Sequence, residues 1–129
     1  MPETKKEAIY KSPFLERKER LFENKLGFVI FDKYPVSKGH CLVVPNRVYS
    51  DYFESTNEEI EAFSQLLLKT KKYLDSKYKP LGYNIGINIG EDSGQTIWHV
   101  HIHIIPRYKG DVENPRGGVR NIIPGMGDY

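Results

Sequence analysis

Two short runs of β-branched and aromatic residues, 28 to 32 (FVIFD) and 40 to 45 (HCLVVP), are bounded by Pro and Gly. The polar turn KYPVSKG between them predicts a hairpin. Strand alternation puts Phe28, Ile30 and Asp32 on one face of the first strand. On the second, His40, Leu42 and Val44 share a face, while Cys41 and Val43 point the other way. The pattern then changes period. Ser55 and Thr56 each precede a Glu by three residues (Glu58, Glu59), the spacing of a capping box. From there Ile60, Phe63, Leu66, Leu67, Tyr73 and Leu74 recur at three- and four-residue steps, a single apolar stripe on a helix. Acidic residues lead this helix and Lys69, Lys71 and Lys72 follow near its end, in keeping with the helix dipole. Pro80 and Gly82 stop it.

Residues 83 to 89 (YNIGINI) return to strict alternation, with Tyr83, Ile85, Ile87 and Ile89 on one side. After the turn GEDSG, residues 96 to 105 (TIWHVHIHII) predict a longer strand. Trp98, Val100, Ile102 and Ile104 occupy one side of it, and His99, His101 and His103 the other. The fold class this implies is α+β: an antiparallel sheet with a helix packed on its apolar face, the opposite face carrying polar residues. No repeat or linker divides the chain, so residues 1–129 form one domain, with a core over about 14–107 and a tail at 108–129.

Composition narrows the function classes. The 129 residues carry 19 Lys and Arg against 17 Asp and Glu, a net charge of +2. Such a balance argues against a nucleic-acid surface. The mixed charges at Lys5, Lys6 and Glu7 suit a solvated segment. The longest apolar runs are four residues, far short of the roughly 20 a membrane-spanning helix needs. The first fourteen residues hold no apolar signal segment, and one cysteine fits a reducing compartment, so a cytoplasmic location is expected.

Three of the four histidines fall within five residues. Buried histidines with local hydrogen bonds would explain one, but three on one strand face are costly to bury unpaired. A His-x-His pair can share a zinc ion, but the strand pattern places no Asp, Glu or Cys beside it, so no metal site is predicted. The third reading is nucleophilic catalysis at phosphorus, where a neutral imidazole attacks and its other nitrogen is held by a partner. Crowded imidazoles discourage one another's protonation, which favours the attacking form. Just upstream, Gly94-Gln95-Thr96 offers backbone N–H groups, an amide and a hydroxyl, a cradle for phosphate.

Residues 94 to 105, GQTIWHVHIHII, resemble the signature of the histidine triad (HIT) family, and Gly39 to Pro45 (GHCLVVP) resemble that family's other characteristic strand. The likeness runs from about Phe14 to about Arg107. Gln95, four residues before His99, is most similar to the fragile-histidine-triad branch, which cleaves dinucleoside polyphosphates. The resemblance implies that His101 attacks the α-phosphate to give a nucleotidyl-histidine intermediate, with His103 on the phosphate and His99 and His40 orienting His101. It also implies that Gln95 and Thr96 hold phosphate oxygens, with Gly94 and Ile97 completing the loop. Asn88, eleven residues before His99, and Asp32, eight before His40, stand where the family contacts phosphate and ribose.

Face assignment adds Ile30 and Leu42 as a wall for the base, against plain core packing. Many relatives carry a Cys-x-x-Cys pair near the N-terminus that helps to bind a metal. The corresponding stretch here, Ser12 to Leu15, has no thiol, so no structural zinc is expected. Arg116 and Arg120 in the tail are candidates for the distal phosphates. The activity implied is hydrolysis (or phosphorolysis) of a dinucleoside polyphosphate such as diadenosine tetraphosphate, by a homodimer acting on small nucleotides. No cofactor is required, and any Mg2+ accompanies the polyphosphate. The alternatives are an adenosine phosphoramidase of the same family and a nucleotide-binding sensor.

Overall fold

The computed structural model describes residues 10–129, so Lys5, Lys6 and Glu7 lie outside the described residues. The hairpin forms where the apolar runs predict it. In chain order the strands are β1 (Phe22–Glu23), β2 (Gly27–Phe31), β3 (Cys41–Pro45), β4 (Gly82–Gly86) and β5 (Ile102–Arg107), with α1 (Asn57–Tyr78) between β3 and β4. Among the described residues these strands make one antiparallel sheet in the order β1-β2-β3-β5-β4. Register pairs Ile30 with Leu42 and Leu42 with His103, so the three share one face. No helix of the described residues is long and apolar enough to cross a membrane.

Thr56 closes the capping box on α1: its side chain accepts from the Glu59 N–H, and the Glu59 carboxylate accepts from the Thr56 N–H. Lys79, in the left-handed conformation at φ 53°, ends the helix just before Pro80. The buried stripe is Ala62, Phe63, Leu66, Thr70 and Leu74. Ile60, expected in it, is 36% exposed. Thr70 takes a core position because its hydroxyl donates to the Leu66 carbonyl at 2.7 Å, which satisfies the buried oxygen.

Phe63, Leu66 and Leu74 pack on Val29, Cys41, Val43, Ile102 and Ile104 to form the helix-side core. Leu74 is wholly buried there, so Leu74→Ala is expected to destabilise the fold by about 2–5 kcal/mol through lost burial and an unfilled cavity. Urea unfolding measures it against Leu68→Ala on the exposed side of the same helix, where a change within about 0.5 kcal/mol is expected.

The other face of the sheet corrects the expectation of a merely polar surface. Phe28, Ile30, Leu42 and Val44 form a second apolar cluster there, covered by Phe14 from the segment before β1 and flanked by Ile97. Two further corrections concern the sheet's ends. The strand expected over 83–89 stops at Gly86, and the one expected over 96–105 begins only at Ile102. Val100, Ile102 and Ile104 are buried as predicted, but Trp98 is exposed. α1 packs against β1, β2 and β3, and on β4 Ile85 is half exposed.

The tail turns through a short 3-10 helix (Gly118–Ile122) that rests on β4. Both tail arginines lie over the Tyr129 ring, and Arg120 Nε donates to the Met126 carbonyl.

Candidate active site

Histidine 99 explains why β5 starts late. Its Nε2 lies 2.7 Å from the Pro45 carbonyl at the end of β3, and the Val100 N–H donates to Tyr49 O at 2.7 Å. A ring inserted at the β3 terminus replaces the strand pairing that would otherwise continue the ladder there. Residues 94–101 therefore form a loop that carries His99 and His101, and β5 carries His103.

Backbone partners assign the tautomers, because a carbonyl can only accept and an amide N–H can only donate. His99 Nε2 carries its proton toward Pro45 O, so its Nδ1 is the acceptor for the Ser12 hydroxyl at 2.6 Å. His101 Nδ1 lies 2.8 Å from the His99 carbonyl and must be protonated, which leaves the lone pair on Nε2. His40 Nδ1 accepts from the Val36 N–H at 3.1 Å, so the proton is on its Nε2. That proton points at His103 Nδ1, 2.9 Å away, and puts the remaining proton of neutral His103 on Nε2. The chain of assignments ends with one free imidazole lone pair, on His101, and one free imidazole donor, on His103.

These rings border a cavity of about 680 Å3 whose wall includes His40, His101, His103, Asp32 and Leu42. Its rim is continued by Asn88, Gly94, Thr96 and Ile97, and its roof by Pro13, Phe14 and Arg17. Phe14 places its ring edge-on to His101 at 4.9 Å between centroids. Gly39 lets the loop before β3 approach α1: at φ 87° an added Cβ would lie 3.0 Å from Leu74 and Tyr78 side-chain carbons. Ser37 ties the same loop to β5 by donating to Pro106 O at 2.7 Å.

Burial holds all four imidazoles below the ordinary histidine range. Burial first, then the neighbouring His101 and His40, push His103 down to about 4 against the pull of Asp32. Crowding among the rings adds to desolvation at His40, His99 and His103. At His101 it does not: burial alone lowers the value, against the pull of the His99 carbonyl and Asp32, which corrects the expectation that crowding favours the attacking form.

Most predicted residues converge on this cavity, and five take other places. Gln95 is buried and committed: its amide nitrogen donates to Ser50 O and Ile97 O, and its oxygen accepts from the Gly90 N–H. It shapes the loop and does not face the cavity, which corrects the phosphate-holding role expected of it. Ile30 is wholly buried under Leu42 and belongs to the core, so only Leu42 of the proposed base wall lines the cavity. His99 is likewise wholly buried and lies behind His101, whose Nδ1 meets its carbonyl. Arg116 and Arg120 do not line the cavity and are engaged within the tail. The sequence pattern missed the segment around Ser12 to Arg17, because it is neither strand nor helix and carries no period to detect.

The structure also corrects the expectation that no carboxylate stands beside the triad. Asp32 Oδ2 is 3.4 Å from His40 Nε2 and 4.0 Å from His103 Nδ1. The three donor atoms lie within 4.8 Å of one another, close enough to suggest a metal site. The donor chemistry does not fit: the Val36 N–H on His40 Nδ1 leaves a proton, not a lone pair, on the nitrogen that would bind the ion. Nor does a site at Ser12 and His99 fit, since both His99 nitrogens are already hydrogen-bonded.

Comparison with known proteins gives the chain's family. A bis(5'-adenosyl)-triphosphatase of Dictyostelium discoideum is 37% identical over 111 residues, 83% of this chain and 72% of the relative. An asymmetrical bis(5'-nucleosyl)-tetraphosphatase of Schizosaccharomyces pombe is 33% identical, over 80% of this chain and 57% of the relative. A crystal structure of a HIT family protein from Bacillus anthracis superposes with a TM-score of 0.68 at 33% identity, covering 71% of this chain and 65% of that one. A zinc-bound histidine triad protein from Mycobacterium smegmatis gives 0.65 at 29% identity, covering 71% and 67%. The chain spans between 45% and 79% of the length of such curated relatives. The HIT domain model matches residues 16–110, a span that holds all four histidines, and the chain belongs to the HIT family.

Proposed function

We propose that the protein is a nucleotidyl hydrolase that cleaves a dinucleoside polyphosphate through a covalent intermediate on His101. The observation that carries this reading is the bond from His101 Nδ1 to the His99 carbonyl, which leaves an unprotonated Nε2 on a ring of the cavity wall. In the first step that lone pair forms a bond to the α-phosphorus, and the bond from phosphorus to the bridging oxygen breaks. The shortened polyphosphate departs with the electron pair of that bond. His103 Nε2–H donates a hydrogen bond to the phosphate oxygens, which gather charge as the bridge breaks. In the second step water attacks phosphorus, the N–P bond returns its electrons to His101, and the mononucleotide leaves with a proton released to solvent. Splitting one displacement into two is the benefit of a nucleophilic side chain.

Support for the substrate class comes from the relatives that cleave bis-nucleosyl tri- and tetraphosphates. Leu42 and Phe14 supply apolar surface for a base, Asp32 an acceptor for ribose hydroxyls, and Asn88 and Thr96 polar groups at the phosphates. Any Mg2+ enters with the polyphosphate. A homodimer paired at β4 is in keeping with the half-exposed Ile85 there, and a cytoplasmic location with the single, buried, free Cys41.

A substrate panel tests the reading. Diadenosine tri- and tetraphosphate should turn over at least tenfold faster, by kcat/KM, than an adenosine phosphoramidate. The reverse order would make the protein a phosphoramidase, and binding of all probes without turnover would make it a sensor.

A further inference from the structure

The segment before β1 is fastened to the histidine loop at three successive points. Trp98 N–H donates to the Tyr10 hydroxyl at 3.2 Å. Ser12 Oγ meets His99 Nδ1 at 2.6 Å, and Phe14 packs against both His99 and His101. The middle contact differs from the others in being buried on both sides: Ser12 is 3% exposed and His99 wholly enclosed. With Nε2–H committed to Pro45 O, the Ser12 hydroxyl must donate to Nδ1. Its oxygen in turn accepts from the Phe14 N–H at 3.2 Å. The serine is thus oriented from one side and orients the imidazole on the other.

We propose that Ser12 is a positioning residue for the nucleophile, acting through His99. A neutral imidazole has two tautomers, and two opposed partners select one of them: Pro45 O requires a proton on Nε2, and the Ser12 hydroxyl requires a lone pair on Nδ1. The selected ring fixes the backbone of residue 99, whose carbonyl is the acceptor that keeps the proton of His101 on Nδ1. Without the serine hydroxyl, the enclosed Nδ1 has no donor, and a rotated ring that releases Pro45 becomes competitive. The carbonyl of residue 99 then moves, and with it the aim of the His101 lone pair. Orientation of a reactive nitrogen by a group behind it affects turnover more than binding. Ser12 does not line the cavity, so its effect must pass through His99.

The inference rests on the nucleophilic role of His101 proposed above, and its test separates the two. Ser12→Ala, which removes the donor, is compared with Ser12→Thr, which keeps it, after thermal melts confirm that both are folded. For hydrolysis of diadenosine tetraphosphate, Ser12→Ala should lower kcat tenfold to a hundredfold, with KM within about twofold of wild type. Ser12→Thr should recover kcat to within about threefold. In long-range 1H–15N spectra, the His99 ring of the wild type and of Ser12→Thr should show the Nε2–H tautomer alone, and that of Ser12→Ala a mixture. Wild-type kcat and a single tautomer in Ser12→Ala would overturn the proposal. So would a loss of kcat that Ser12→Thr fails to recover, which would mark a packing role. If the wild type hydrolyses no nucleotide, the functional reading fails, while the spectra still decide whether Ser12 selects the tautomer.

Discussion

His101→Ala is expected to abolish nucleotidyl transfer while leaving the fold intact. Turnover of diadenosine tetraphosphate should fall by at least about 10^4-fold, the range seen when a covalent nucleophile is removed and only binding and electrostatic contacts remain. Quenched reactions with α-labelled substrate should trap a nucleotide on the wild-type protein and none on the variant. Folding should survive because the ring lines the cavity, so its removal opens space to the cavity where water can reach the freed His99 carbonyl. His103→Ala makes a sharp contrast. It removes a hydrogen-bond donor but leaves the lone pair of His101, so a labelled adduct should still form, more slowly. An adduct of normal yield on His101→Ala would place the nucleophile elsewhere and end the proposed mechanism.

The sequence pattern carried the fold and the identity of the reacting group further than it carried the geometry. Alternation alone put Ile102 and Ile104 in the core and His101 and His103 opposite, and the structure agrees. The capping-box spacing located the start of α1 to within one residue. Alternation could not show that the run 96–105 leaves the ladder before Ile102. The cause is a side chain, His99, hydrogen-bonded to a strand 54 residues earlier, and local periodicity carries no information about so distant a partner. The same limit hid Asp32 from the triad's surroundings. It follows the end of β2, where the loop turns back toward His40, and its distance from His103 depends on two strand pairings at once. Gln95 shows the opposite failure. Its residue type suits a phosphate contact, yet three bonds to the surrounding backbone use the amide up.

Acid should weaken the fold in a window set by the active site. All four histidines of the chain belong to this cluster, and each is held below its ordinary range chiefly by burial. Between the lowered folded value and the unfolded value near 6.5, the unfolded chain binds more protons than the folded one, so stability rises with pH there. Read downward, stability is full above about 6.5 and is lost as pH falls toward about 4, the folded value of His103. His103 contributes to that loss together with the neighbouring His101 and His40, whose charges lower it further. His40, His99 and His101 act in the same direction. Carboxylates held low by partners, such as Glu59 beside Arg47, lose their contribution only below about 4.5. The stretch from pH 6.5 to 5 therefore reports the histidines. Urea midpoints measured at pH 7.5, 6.0 and 5.0 should fall steadily, and the fall should shrink in His103→Gln. Activity should outlast the ordinary titration of histidine: the acid limb of kcat/KM should have an apparent pKa below 6.5, because burial protects the lone pair of His101 from protonation. The coupled rings will give that limb as a property of the cluster and not of one residue. A limb at 6.5 or above, or urea midpoints unchanged from pH 7.5 to 5.0, would mean that the site is wetter than its burial implies, and that the neutrality of His101 is not built into the fold.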